Sequence, residues 1–180
     1  NIIRNIVFVT NKISQIFNRG QKMDNKLKAT INYLISEAPE VTPKKLQKLL
    51  YYVQSWHLAL TAENVSEDFE QYLLFKADFE AWVHGPVIPE VYTCFKEFGG
   101  KVISKSPYFT DVEVDFNGDE IENINDVLEI YGKFNGSDLE LLTYNELPWQ
   151  EARKGLSPLE SSNKKLSYKT IFEYYSTRLV

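Results

Sequence analysis

A helical pattern of apolar residues between positions 43 and 60 constrains the fold more than any other feature. Thr42 and Pro43 precede it as an N-cap and a first helical residue, because proline lacks the amide hydrogen that this position leaves unbonded. A helix with such an apolar face must pack against other elements, so the chain has to build a core around it. The residues of this face recur at spacings of three and four: Leu46, Leu49, Leu50, Val53, His57 and Leu60.

Further helices are predicted from cap residues and apolar spacing on both sides of this one. Ser137 and Glu140 have the spacing of a capping box. Ser167 can cap the last helix, and Tyr92 is expected to face inward from the helix that begins at Pro89. The predicted helices cover about 24–37, 43–60, 89–98, 126–131, 137 onward, 148–155 and 167–178.

The β content is expected to be small. Apolar and acidic residues alternate over 112–116 before the turn-forming pair Asn117-Gly118, which predicts a hairpin over about 112–121. Residues 72–84 contain short aromatic and β-branched runs that are compatible with brief strands. The predicted fold class is mainly α, or α+β with one small β-hairpin, in a compact single-domain helical fold.

Length and composition fit one domain in a reducing compartment. A chain of 180 residues with 43% hydrophobic and 14% aromatic side chains can fill one core and is short for two. Cys94 is the only cysteine, so no intramolecular disulfide can form, which favours the cytoplasm and a buried, unreactive thiol. No apolar run approaches the roughly 18 residues of a membrane span, and no membrane association is predicted for the main domain.

The first 22 residues are treated separately from the main domain, which we place at 23–180. Met23 is the only methionine, and residues 1–22 are interpreted as an N-terminal extension, either upstream of the native start or packed on this domain or a neighbour. An apolar stripe at helical spacing supports the second alternative: Ile2, Ile6, Val9, Ile13 and Ile16.

The charge of the chain argues against nucleic acid as a partner. The formal net charge is −5, and residues 101–146 carry 11 acidic against three basic side chains. A phosphate backbone would be repelled by such a surface, so no direct nucleic-acid binding is expected. The acidic stretch is either an ordinary solvated surface or one that attracts a basic partner.

Signatures of common enzymes are missing from the sequence. It has no glycine-rich phosphate loop, no zinc-like Cys/His spacing and no metal-binding helix motif. His57 lies on an apolar helix face, where a core role is more common than metal binding, and His84 precedes the turn-forming Gly85-Pro86, where it either fixes the turn or stands exposed beside a groove. We predict no catalytic residue, metal or cofactor, and keep as an alternative a small-molecule enzyme that uses His84 and Glu80.

Aromatic residues are more numerous than helical spacing alone would bury. They form either a tyrosine-rich core or an aromatic interface, since Trp and Tyr anchor many protein interfaces. The residues concerned are Tyr51, Tyr52, Trp56, Trp82, Tyr92, Trp149, Tyr174 and Tyr175.

Several separated motifs resemble one known family in the same order. They are LQKLLYY at 46–52, WHLAL at 56–60, EAWVHGPVIPEVY at 80–92, YGK at 131–133, LELLT at 139–143 and ELPWQEAR at 146–153. Together they resemble the Panacea domain family, also described as SocA-like antitoxins and found in phage-associated proteins. The resemblance covers about residues 24–178. It departs at Tyr144, where the family commonly places a histidine.

The resemblance implies an antitoxin-type protein, not an enzyme, in the cytoplasm of a bacterial or phage-infected cell. Such a protein would neutralise a cognate protein toxin by direct binding, either by occlusion or by delivery to a protease. A rival hypothesis is a phage or prophage protein that inhibits or triggers a host defence protein. The sequence does not decide whether the protein forms a homodimer. The predicted partner-binding groove and its supporting shell consist of Lys48, Tyr52, Trp56, Trp82, His84, Gly85, Pro86 and Trp149.

Overall fold

The computed structural model describes residues 23–63, 68–113 and 115–179, together with Ile6, Thr10, Asn11 and Ile13 of the N-terminal segment. In these ranges it contains seven α-helices and one two-stranded antiparallel sheet, which confirms the predicted mainly α fold class. The other residues of the predicted N-terminal stripe lie outside the described residues. In chain order the elements are α1 (Asn25–Glu37), α2 (Pro43–Thr61), β1 (Glu80–Trp82), β2 (Gly85–Val87), α3 (Pro89–Phe95), α4 (Gly118–Tyr131), α5 (Gly136–Tyr144), α6 (Leu147–Ala152) and α7 (Tyr168–Ser176).

Helix α2 is the central element of the fold. It begins as predicted, with the Thr42 side chain accepting a hydrogen bond from the amide of Lys45 at 3.2 Å. Every residue from Lys45 to Ser55 is buried, because α1, α3, α4, α5, α7 and β2 all pack around the helix. In its last turn Leu58 and Ala59 remain in the core, but Leu60 points to solvent and is 55% exposed, so its predicted inward position is wrong.

Two buried glutamines of α2 hold neighbouring segments in place. The Gln47 side chain donates to the carbonyl of Ile88 at 3.1 Å and accepts from the amide of the same residue at 2.9 Å. Gln54 donates to the carbonyl of Phe75 at 2.6 Å and accepts from the amide of Leu74 at 2.9 Å. A buried amide without partners would cost free energy, so these pairs fix the segments before and after the hairpin against α2.

The hairpin is formed by β1 and β2, not by residues 112–121 as predicted. The two strands are antiparallel, with Trp82 opposite Gly85. Asn117 is instead the N-cap of α4: its side chain accepts from the amide of Glu120 at 2.9 Å, and the Glu120 carboxylate accepts from the amide of Asn117 at 3.1 Å. This capping box commits the Asn-Gly pair to a helix start.

Other boundaries and facings differ from the predictions in smaller ways. Helix α4 begins eight residues earlier than predicted, at Gly118. Asn135 caps α5, accepting from the amide of Asp138 at 2.9 Å, so the predicted capping role of Ser137 is wrong. Ser167 caps α7 as predicted. Tyr92, predicted to face inward, is 44% exposed.

The core lies on both sides of α2 and takes in residues from every helix except α6. Cys94 is buried within it between Val91 and Phe95, as predicted. Ile13 of the N-terminal segment is half-buried and packs against this core. Within the described ranges, no helix has both the length and the apolar character needed to cross a membrane.

Candidate functional site

The short hairpin is positioned by side chains from two helices. Lys48 of α2 donates from Nζ to the carbonyl oxygen of Pro86 at 3.0 Å. From the other side, Trp149 of α6 donates from its indole to the carbonyl of Trp82 at 2.9 Å. Arg153, which follows α6, donates to the carbonyl of Ala81 at 2.8 Å. Six of the eight predicted residues therefore meet here: Lys48, Trp82, His84, Gly85, Pro86 and Trp149.

Gly85 is required where β2 approaches α2. Its φ of 95° lies in the left-handed region that side chains disfavour. A Cβ at this position would lie 2.8 Å from Cε of Lys48 and 2.8 Å from Oγ1 of Thr143. Only glycine lets the strand lie this close to the lysine.

Glu140 of α5 is the centre of a polar cluster beneath the turn. Its carboxylate lies 2.6 Å from Nζ of Lys44 and 2.8 Å from Nδ1 of His84. Tyr144 donates its hydroxyl to the same carboxylate and to the carbonyl of Val83, the latter at 2.8 Å. Burial raises the pKa of Glu140, but the hydrogen bonds from Lys44, Tyr144 and His84 outweigh it and hold that pKa at about 2. The carboxylate is therefore ionised at neutral pH.

Lys48 is the least solvated cation of the site. Its side chain is 1% exposed, and burial lowers its pKa to about 7 although the Glu140 charge opposes the shift and the Lys44 charge assists it. The ammonium has three donors, and among the described residues its one hydrogen bond goes to Pro86. Burying an ammonium with so few partners is costly, and this cost is the physical reason for the lowered pKa.

An apolar cavity of about 200 Å³ opens between the hairpin, α3 and the start of α2. We call it the hairpin groove. Its wall includes the rings of Trp82 and Tyr92, which meet edge to face with centroids 5.0 Å apart. The side chain of His84 is 69% exposed and that of Lys44 is 40% exposed at its rim. The full lining is Pro43, Lys44, Gln47, Lys48, Trp82, His84, Val87, Val91, Tyr92, Phe95 and Gly99.

The other two predicted residues lie in a separate aromatic cluster around Glu146. The Glu146 carboxylate accepts hydrogen bonds from the hydroxyls of Tyr52 at 2.8 Å and Tyr175 at 2.5 Å. Trp56 donates its indole to the hydroxyl of Tyr131 at 3.0 Å. Tyr52 has no exposed surface, so within this structure it supports the fold and cannot touch a partner directly.

Burial raises the pKa of Glu146, and the hydrogen bonds from Tyr175, Tyr52 and Tyr51 only partly oppose that shift. Glu140, which is buried, and Glu146, which is partly buried, thus have opposite pKa shifts. Sequence reasoning singled out neither as a site residue. Glu140 lies in the motif LELLT and Glu146 in the motif ELPWQEAR. Their position inside these family motifs was the one sequence signal that could have identified them.

His84 and Glu80, the two residues named for the enzyme alternative, have different hydrogen-bond partners in the structure. His84 pairs with Glu140, whereas the Glu80 carboxylate accepts a hydrogen bond from the Trp82 indole at 2.7 Å. Over the described ranges, no group of three or more His, Cys, Asp or Glu residues is placed to hold a metal ion.

The fold and the groove define a mainly helical protein with one small hairpin that is fixed to a central helix. Residues 46–150, more than half of the chain, match the family described as antitoxin SocA-like, Panacea domain. The chain therefore belongs to this antitoxin-type family, and the resemblance drawn from the motifs is confirmed. No curated protein and no solved structure matches the chain.

Proposed function

We propose that this protein is an antitoxin that neutralises a cognate protein toxin by direct binding. Family membership supports the antitoxin class. The observation that carries the binding site is the hairpin groove, an apolar cavity with the partly exposed rings of Trp82 and Tyr92 at its edge. Aromatic residues around a desolvated pocket supply most of the binding energy in many protein interfaces.

The mechanism we propose is occlusion in the cytoplasm. A toxin element would insert into the hairpin groove, and the rest of the toxin would lie against the surrounding surface. The acidic stretch supports this arrangement for a toxin with a basic surface, since complementary charge speeds encounter. Its exposed acidic residues are Asp111, Glu113, Asp115, Asp119, Glu122, Asp126, Glu129 and Asp138.

A binding role without catalysis agrees with the state of the ionisable groups. His84 and Lys44 both engage Glu140, which hydrogen bonding keeps ionised. These contacts hold the turn of the hairpin in place and give the groove a fixed shape. A fixed, preformed groove reduces the ordering cost of binding.

Co-expression with the toxin encoded by the adjacent gene tests this proposal. Growth should be rescued, and the two proteins should co-purify as one complex. Tyr92→Ala should weaken both effects, whereas Leu60→Ala, which removes an exposed apolar side chain from the far end of α2, should leave them unchanged. Rescue without any physical complex would reject direct neutralisation. A complex with a host defence protein in place of a toxin would favour the rival role of a defence modulator.

A further inference from the structure

The charged side chains that line the hairpin groove are all basic. Among the described residues, its lining includes the basic residues Lys44, Lys48 and His84 and no aspartate or glutamate. Glu140 does not line the groove; its side chain is only 11% exposed and lies behind Lys44 and His84. This sign is opposite to that of the chain, whose net charge is −5. A local cationic lining in an acidic protein indicates a ligand that brings negative charge.

The start of α2 adds to this field. Pro43, Lys44 and Gln47, from the first two turns of a 19-residue helix, line the same cavity. The N-terminal end of a helix carries partial positive charge that favours an anion within the first turn. The N-terminal end of α2 and the basic side chains therefore both favour an anion in the groove.

Lys48 supplies the second, independent observation. It lines the groove, is 1% exposed, and uses one of three ammonium donors on Pro86. Burial lowers the pKa of this lysine more than the nearby Glu140 charge raises it, so its charge is only partly compensated. An anion that enters the groove would provide the missing partner, because a charge-assisted hydrogen bond is strongest where water is excluded.

We propose that the hairpin groove captures the C-terminal residue of the partner polypeptide, with its apolar side chain against the rings of Trp82 and Tyr92 and its carboxylate on Lys48 and Lys44. This inference rests on the proposed function and names the chemistry of the partner. Capture of a C-terminal carboxylate is a recurring mode of peptide recognition.

The size of the cavity favours a chain end over an internal acidic residue. Its volume of about 200 Å³ is below the roughly 300–1,000 Å³ of pockets for larger ligands, so it suits a single residue. A C-terminal residue carries an apolar side chain and a carboxylate on one Cα, with the backbone leaving in one direction only. An internal aspartate or glutamate would need backbone to leave the cavity on both sides.

Short peptides and the full chain test this inference directly. The probes are an acetylated Gly-Ser-Gly-Ser-Leu peptide with a free carboxylate, the same peptide as its C-terminal amide, and a version that ends in serine. Binding is followed by NMR chemical-shift titration up to millimolar peptide. The free acid should bind at least ten-fold more tightly than either other peptide and should shift the indole signal of Trp82. Equal affinity of acid and amide, or no binding of the acid, would overturn the inference.

Variants assign the carboxylate contact to Lys48. Lys48→Met should bind acid and amide equally, whereas Lys169→Met, at an exposed position on α7, should keep the preference for the acid. The peptide comparison on the unaltered protein keeps the test valid if Lys48→Met does not fold.

A final comparison separates this inference from the proposed function. The toxin is prepared with its natural C-terminus and with a Gly-Ser-Gly extension, which should weaken the complex at least ten-fold. Unchanged binding of the extended toxin would overturn C-terminal capture and leave direct neutralisation standing. Failure of both forms to bind would remove direct neutralisation, and C-terminal capture with it.

Discussion

Nζ of Lys48 lies 3.0 Å from the carbonyl oxygen of Pro86. A buried lysine on the central helix therefore holds β2, one strand of the only sheet in the described part of the chain. The contact is close enough to exclude any side chain at the neighbouring Gly85. Lys48 thus both holds the hairpin in position and lines the groove beside it.

The titration of Lys48 should appear in the pH dependence of stability. Its pKa is about 7 in the folded protein and near 10.5 in the unfolded chain, so between these values the unfolded state binds more protons. The free energy of unfolding of the wild type relative to Lys48→Met should therefore increase as pH rises from 7 towards 10. Urea unfolding of both proteins at pH 6, 8 and 9.5 measures this difference. A difference that is independent of pH would show that Lys48 titrates normally.

Gly85→Ala should destabilise the protein by more than about 2 kcal/mol, because it adds backbone strain and a clash with Lys48 and Thr143. Gly155→Ala is the matched control, since Gly155 also has a positive φ, of 84°, but an added Cβ meets nothing within 4 Å. The control should cost only the strain, about 1 kcal/mol. Thermal unfolding of both variants measures the comparison, and equal losses would remove the close approach as the cause.

The contributions of Glu140 and Glu146 to stability should respond to acid in opposite directions. The pKa of Glu140 is about 2 when folded, so its stabilising contribution is complete above the unfolded value of 4.5 and is lost as pH falls towards 2. The pKa of Glu146 is raised by burial, so the folded state holds the extra proton and its contribution to stability increases as pH falls towards 4.5.

Glutamine variants separate these contributions. The stability of the wild type relative to Glu140→Gln should shrink between pH 5 and pH 2.5. The stability of the wild type relative to Glu146→Gln should instead grow between pH 7 and pH 4.5. Denaturant unfolding across this range provides both curves, and two curves of the same slope would contradict the assignment of the shifts.

Tyr144→Phe should loosen the turn of the hairpin without creating a cavity. The hydroxyl donates to the carbonyl of Val83 and to Glu140, and loss of these bonds should cost about 1–2 kcal/mol. Amide hydrogen exchange of Val83 and His84 should become faster, while exchange in the buried middle of α2 should change only as global stability changes. Unchanged exchange at the turn would show that Tyr144 does not hold it.

Local signals predicted that each of the seven helices in the described part of the chain exists, but not every boundary or cap. Thr42-Pro43 and the apolar spacing after it define the start of α2 without reference to any other segment. The same information was misleading at Asn117-Gly118, because an Asn-Gly pair suits both a tight turn and a helix start. The choice between them is made by Glu120, which completes the capping box.

The site was only partly predictable, because its partners come from distant parts of the chain. Six of the predicted residues lie at or beside the hairpin, whereas Tyr52, on the same helix as Lys48, is buried against Glu146. The contacts of Glu140 with Lys44 and His84 join three elements separated by tens of residues. No local sequence pattern predicts these contacts, because they depend on how the helices pack around α2.

Each strand of the hairpin is three residues long, and its backbone carbonyls accept hydrogen bonds from the side chains of Lys48, Trp149 and Arg153. Carbonyl groups are common to every amino acid, so these hydrogen bonds do not depend on which side chains the turn displays. Strand positions other than Gly85, where a Cβ would meet Lys48 and Thr143, can consequently change their side chains while these three hydrogen bonds remain.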